Sequence, residues 1–272
     1  MHVEDGDNAF YPSEAAEHRV AGIEHLLSDG MTFRVEAYHK QLSNLRPRYQ
    51  NLLDGAIDNQ RFPEVEEDRI RLEPSHGTAK GLEFFVKKQN GKRFNGWASY
   101  SLAVAEDYVA KVVLPAHFDG VLAAENIAGT MVPRPFDQRH TFYGDAGYRL
   151  NEKWGFNVAF QFHSGWPYTL TTQQNDLRLL DFGAINDERA APYHRLDARI
   201  NRYFTFSNSR LTAFVEFLNL LDTNNLRRAT DQVYTGPDGE RVVERVEKRW
   251  TTLIPSLRAS LGYFSLRNDL QT

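Results

Sequence analysis

Alternation with period two runs through most of the chain. From Met31, the segment MTFRVEAYHKQ sets Phe33, Val35 and Ala37 against Arg34, Glu36, Tyr38 and Lys40. In WGFNVAFQF, residues Trp154, Phe156, Val158, Phe160 and Phe162 oppose Asn157, Ala159 and Gln161. In HRLDARIN, Leu196, Ala198 and Ile200 oppose Arg195, Asp197, Arg199 and Asn201, and SLRASLGY repeats the pattern from Ser256 to Tyr263. Successive side chains of a strand point to opposite faces, so each segment predicts a strand with one apolar and one polar side. Helical spacing is hard to find.

Nine strands are expected, near 18–27, 32–43, 79–89, 94–107, 139–150, 154–165, 194–206, 209–220 and 254–264. Most reach ten residues or more, against about 5–6 for an ordinary strand. Their connections alternate in length. Ser28-Asp29-Gly30, Asn90-Gly91-Lys92, Asn151-Glu152-Lys153 and Ser207-Asn208 have the composition of tight hairpin turns. The other four, near 44–78, 108–138, 166–193 and 221–253, are far longer than the about 12–15 residues at which structureless loops become uncommon. A transmembrane β-barrel accounts for both features, with short turns at one rim, long loops at the other, and strands apolar toward lipid and polar toward a wet lumen. A soluble β-sandwich or propeller is the rival, since alternation does not say which face meets water. Strand length and loop asymmetry favour the barrel.

Composition agrees. Mean hydropathy is negative, as expected when apolar residues are dispersed rather than gathered in blocks. No apolar run approaches the roughly 18–20 residues of a spanning helix. The first eighteen residues lack the basic and apolar regions of a signal peptide. With 32 Lys+Arg against 36 Asp+Glu the net charge is −4, which argues against a dedicated nucleic-acid binder. Absence of cysteine removes thiolate metal sites, iron–sulfur clusters and cysteine nucleophiles. Aromatics gather near strand ends, at Trp154, Trp166, Tyr168, Tyr193, Tyr203, Phe204, Trp250 and Tyr263, where interfacial girdles would place them.

These segments, in order, resemble a known family. HRVAGIEHLLSDGMTFRVEAYHKQLSNL, KGLEFFVKKQNGKRFNGWASYSLAVAED, PFDQRHTFYGDAGYRLNEKWGFNVAFQFHSGWPYT, PYHRLDARINRYF with LTAFVEFLNLLDTNN, and the terminal SLRASLGYF are similar to the C-terminal part of the barrel of TonB-dependent outer-membrane receptors. The resemblance covers nearly all of the chain. It implies an all-β antiparallel transmembrane barrel, of which the chain supplies about nine C-terminal strands of about 22, with short periplasmic turns and long extracellular loops. Residues 1–17 would then be an N-terminal loop segment, 18–264 the barrel portion and 265–272 a tail past the aromatic pair Tyr263-Phe264. The family's plug domain and first strands are absent from the sequence given.

Function follows from the resemblance as an expectation: a portion of a bacterial outer-membrane receptor for energised uptake of a scarce nutrient, such as siderophore iron, a vitamin, a saccharide or a peptide. Expected partners are outer-membrane lipid and lipopolysaccharide, a small-molecule ligand, the barrel-assembly machinery through the last strand, and the TonB complex only through the missing plug. On its own the chain is not expected to transport. The alternatives are a soluble β-rich binding or structural protein, and a non-functional remnant of a receptor gene.

Catalytic signatures are missing: the sequence contains no HExxH, GxSxG, P-loop or GxGxxG, and its nine histidines are scattered. No enzyme activity, cofactor or metal is expected, and a hydrogen-bonding role is expected for His140 and His194. Ligand contacts are expected at the loop mouths. Arg46 and Arg48, beside Tyr49, offer guanidinium donors to an anionic ligand, though they would serve equally to neutralise loop carboxylates or lipopolysaccharide phosphates. Trp166 and Tyr168 flank Pro167 as a stacking platform or as girdle residues. The acidic run Glu64, Glu66, Glu67 and Asp68 reads as a solvated loop face, and 222–225 as a turn closing a strand.

Overall fold

The computed structural model describes residues 12–27, 29–51, 69–89, 91–113, 128–173, 180–207, 209–235, 237, 241–250 and 252–263. Along the chain run β1 (Ala15–Leu26), β2 (Met31–Ser43), β3 (Arg48–Asn51), β4 (Arg69–Lys88), β5 (Phe94–Val113) and β6 (Thr130–Pro133). Next come β7 (His140–Arg149), β8 (Trp154–His163), β9 (Pro167–Tyr168), β10 (Thr171–Gln173), β11 (Leu180–Phe182) and β12 (Glu188–Arg189). The last five are β13 (Tyr193–Thr205), β14 (Ser209–Leu218), β15 (Leu226–Thr235), β16 (Arg241–Arg249) and β17 (Ile254–Tyr263). No helix occurs among the described residues.

All nine expected strands are present and pair in chain order, β1-β2-β4-β5-β7-β8-β13-β14-β17. Every pairing is antiparallel. The result is one continuous wall. Cross-strand partners share a face, so the register carries each strand's alternation across the whole sheet. Phe33 and Val35 of β2 oppose Val86 and Phe84 of β4, and Phe84 in turn opposes Tyr100 of β5. Farther on, Val158 opposes Ala198 and Ile200 opposes Val215, on that same apolar face. The other face is mainly polar, with a few aromatics such as Phe85 and Trp97 among its charged residues: Glu36 opposes Glu83, Glu83 opposes Ser101, Trp97 opposes Asp145, and Arg199 opposes Glu216.

Neither face is covered by protein over most of its area. Ile23 is 77% exposed, Val158 43% and Leu82 41% on the apolar side. The polar side is stitched by ion pairs, Arg199–Glu216 and the two-pronged Arg195–Asp197 among them, the latter at 2.7 Å for each prong. Two glycines make room for tyrosines on this polar side. A Cβ at Gly81 would lie 2.7 Å from the ring of its cross-strand partner Tyr38, and one at Gly155 would lie 2.9 Å from the Tyr203 hydroxyl. Such aromatic cover over a strand glycine fixes register where the glycine has no side chain of its own to pack.

The long connections are not structureless. β4 and β5 each run to 20 residues, well past the expected limits of 79 and 107, because β3 pairs with the extension of β4 and β6 with that of β5. The expectation of plain loops over 44–78 and 108–138 is corrected by these pairings. The sequence RIRLE alternates as cleanly as the wall does: Ile70 and Leu72 turn inward while Arg71 and Glu73 pair outward. Together with Val109, Val132 and Ile185 they form a small core, with none of the five more than 4% exposed. The remaining connections hold the β9–β12, β10–β11 and β15–β16 ladders.

Two buried aspartates hold this cap together. Asp107, fully buried, accepts from Arg48 of β3 and from Arg134 Nε at 2.7 Å. Asp137, 1% exposed, accepts from Arg139 Nε at 2.7 Å, from Arg189 of β12, and from the Ala105 backbone N–H at 2.7 Å. Arg48, Arg134 with Arg139, and Arg189 come from three different long connections, so the pairs bind those connections into one body above the wall. Asn186 adds a further link, donating to the Pro133 carbonyl at 2.8 Å.

Candidate functional site

At the long-loop end of the polar face, β7, β8 and β13 present a cleft of about 330 Å³. Its lining is aromatic and cationic: Tyr143, His163, Trp166, Tyr193, Trp250, Arg195 and Arg227 take part, and no carboxylate does among the described residues. His163 and Tyr193 are cross-strand partners whose rings stack at 4.9 Å between centroids and 1° between planes. Trp166 stands 5.9 Å from His163 and meets Phe136 edge to face at 5.8 Å. The Arg227 guanidinium lies 5.1 Å from the centre of the Trp250 ring.

The far wall of the cleft is a built turn. Asn219 sits at a positive φ of 56° and Asp222 at 51°, a backbone region that Asn and Asp tolerate better than most residues. Asn225 is buried and bridges both backbone groups of His194, accepting from its N–H at 3.0 Å and donating to its carbonyl at 2.8 Å. The Asn219 N–H donates to Asp197 at 2.8 Å, and Asp197 also holds Arg195. Turn, guanidinium and strand are therefore one hydrogen-bonded unit. The cleft can take a solute with flat unsaturated rings and negative charge, which rings and guanidinium groups attract together.

Of the five expected ligand residues, the cleft contains Trp166 alone. Tyr168 is in β9, opposite Glu188 of β12. Arg46 is exposed, and its backbone N–H donates to Glu14 at 2.9 Å. Arg48 is committed to buried Asp107, so its neutralising role prevails, toward a different acid from the one expected. Tyr49 hydrogen-bonds Arg71. The acidic run Glu64, Glu66, Glu67 and Asp68 lies outside the described residues. Among the histidines, His140 meets the Tyr100 hydroxyl and His163 the Gln138 amide, each at 2.8 Å. The site residues missed were Tyr143, His163, Tyr193, Arg195, Arg227 and Trp250. Tyr193 and Tyr203, expected in the girdle, stand on the polar face instead, because they share parity with Arg195 and Asp197.

No protein-family model matches the sequence, and a search of curated proteins finds no relative. Solved structures do match. The ferripyoverdine receptor of the outer membrane of Pseudomonas aeruginosa, bound to ferripyoverdine, aligns with a TM-score of 0.51 at 13% identity, over 92% of this chain and 27% of that one. The siderophore receptor PirA of Acinetobacter baumannii aligns with a TM-score of 0.32 at 11% identity, over 92% of this chain and 34% of that one. The chain thus spans about a quarter to a third of the length of these receptors. Register, alternation and likeness agree: this chain has the fold of a stretch of outer-membrane receptor barrel wall.

Proposed function

We propose that the chain is the membrane-spanning wall, over 18–264, of an outer-membrane uptake receptor, with its apolar face in lipid, its polar face lining the lumen and its short turns in the periplasm. The observation that carries this reading is the segregation of the two faces across the register-linked strands from β2 to β14, with large apolar residues such as Val158 and Leu82 left exposed. An apolar surface of this extent needs a lipid or protein cover. A soluble protein would supply that cover from its own chain.

In this reading the aromatic, cationic cleft meets the extracellular cargo. The similar receptors are described as binding ferripyoverdine or as siderophore receptors, and a ring-bearing, anionic iron chelate suits the lining. Lipid and lipopolysaccharide, a TonB complex reached through a plug, and the barrel-assembly machinery are the partners that accompany such a wall. Residues 1–17 and 265–272 flank it.

Fractionation of source cells tests the reading. An immunoblot against the 166–193 connection should find the polypeptide in the outer-membrane fraction, with mobility that shifts on heating. A soluble, heat-indifferent band would overturn the proposal. For cargo, ferric chelates added to the receptor should quench fluorescence from Trp166 and Trp250. Tyr193→Ala should weaken that quenching about tenfold, in keeping with the 1–3 kcal/mol that a stacked ring contributes.

A further inference from the structure

An unpaired guanidinium lies on the apolar face. Arg202 of β13 stands opposite Trp154 of β8 and Ala213 of β14, in the same parity as Ile200, Phe156 and Val215. Two rings hold it: the guanidinium carbon is 4.8 Å from the centre of the Trp154 ring and 5.3 Å from that of Phe204. A cation set over aromatic faces is attracted and oriented by them. No hydrogen bond or ion pair engages Arg202 among the described residues. Its neighbours on that face, Ile200, Phe204, Trp154 and Ala213, bring no charge. Glu152 of the β7–β8 turn is exposed and makes no ion pair with it. By contrast, Arg19 and Lys88 of the same face are paired, with Glu17 and Asp29.

Depth along the strand says what such a group meets. Outward along β13 come His194, Leu196, Ala198, Ile200, Arg202 and Phe204. From His194 to Arg202 the strand advances about 26 Å, at about 3.3 Å per residue. A strand tilt of about 40° turns this into roughly 20 Å of depth, against an apolar band of about 25 Å. Arg202 therefore lies at one boundary of that band, and its long stem lets the charge reach outward to the headgroups. The boundary is the short-turn one, since Trp154 directly follows the β7–β8 turn.

We propose that Arg202, clasped by Trp154 and Phe204, binds the phosphate of one phospholipid in the leaflet at the short-turn rim. The inference rests on the membrane reading above, in which the apolar face meets lipid. A guanidinium matches a phosphate in two-pronged fashion, and the rings hold it ready for that contact. Ile200 and Val215, beside it toward the middle of the wall, are 38% and 37% exposed and lie where the acyl chains of that lipid would run. Apolar surroundings of this kind favour an amphiphile over a free ion or an acidic peptide.

The test is native mass spectrometry of the full chain refolded in maltoside micelles, a detergent without phosphate. Phosphatidylglycerol is added or, as the control, a galactosyl diacylglycerol with the same acyl chains. A single phosphatidylglycerol should stay with each chain, and the galactolipid should not. Arg202→Gln should weaken retention about tenfold, the loss of one charge-assisted pair. Arg149→Gln, at the same rim but on the polar face, should leave it unchanged. Should Arg202→Gln fail to refold, Trp154→Leu keeps the charge, opens the clasp and should weaken retention roughly threefold. Unchanged retention in folded Arg202→Gln, or in Trp154→Leu, overturns the proposal. So does inorganic phosphate bound in place of lipid, which would make Arg202 a free-anion site. Equal retention of the galactolipid overturns it too, while leaving the apolar face in lipid. A chain that keeps neither lipid nor a detergent belt overturns the membrane reading as well.

Discussion

The wall and the cap solve the same problem in opposite ways. The wall has no protein interior: Val158, Ile200 and Val215 stay more than a third exposed, and its polar side is held by ion pairs at the surface. The cap has Ile70, Leu72 and Val109 at 0% exposure and two aspartates almost completely buried. Removing water from apolar surface stabilises the cap from within, whereas the wall leaves that term to whatever lies against it. Stability of the cap should accordingly be a property of the chain, and stability of the wall a property of the chain with its surroundings.

Asp107→Ala should have the largest effect, and it should fall on the cap. The substitution leaves Arg48 and Arg134 facing an emptied, water-poor space, and breaking a buried pair in this way costs about 3–5 kcal/mol. Protease cleavage within 44–78 and 108–138 should rise sharply, with the heat-shifted band of the wall retained. If the wall melts with the cap, the two regions are one cooperative unit and the contrast drawn above fails.

Next in size is Val158→Arg on the apolar face. Folding into vesicles should lose about 2–4 kcal/mol if the position sits near mid-bilayer. Ser101→Arg on the polar face should stay within about 0.5 kcal/mol, as for an ordinary surface change. Equal costs at the two positions would sink the assignment of faces. Gly155→Ala follows at about 1–3 kcal/mol, the usual range for overpacking, because its methyl group would meet the Tyr203 hydroxyl at 2.9 Å. Tyr203→Ala in that background should recover most of the loss.

How much of this could be read in advance follows the same division. The wall was legible because an apolar face and a polar face on one sheet require alternation along each strand, and all nine strands were placed within a few residues except at the long-loop ends of β4 and β5. Those extensions were missed although Ile70 and Leu72 alternate with Arg71 and Glu73: a short alternating run beside Pro74 and Gly77 resembles loop composition. In the cleft, parity alone would have placed Tyr193 with Arg195 on the polar face. Trp250 and Arg227 carried no such signal. Trp250 is outside any strand, and Arg227 falls at the bulge where β15 joins β16. The partner of Arg48 was not legible, because Asp107 is 59 positions away and invisible to local pattern.

The smallest expected effect belongs to the short-turn end, where Lys88 donates to Asp29 across the β1–β2 turn. The bond with the Lys88 ammonium holds the Asp29 carboxyl below its ordinary value of 3.8, against a weaker opposing pull from desolvation. A carboxyl lowered in the folded state binds fewer protons there than in the unfolded state above its folded pKa, so it stabilises the fold at neutral pH. That contribution is whole above the ordinary carboxylate value and is lost as pH falls through the lowered one. Asp29 is more than half exposed, so salt and water screen the pair and the gain stays small. Asp29→Asn should therefore flatten only a slight part of the acid limb of an unfolding curve, and high salt should erase the difference from the parent chain. A large effect there would mean that the turns, rather than the cap, anchor the wall.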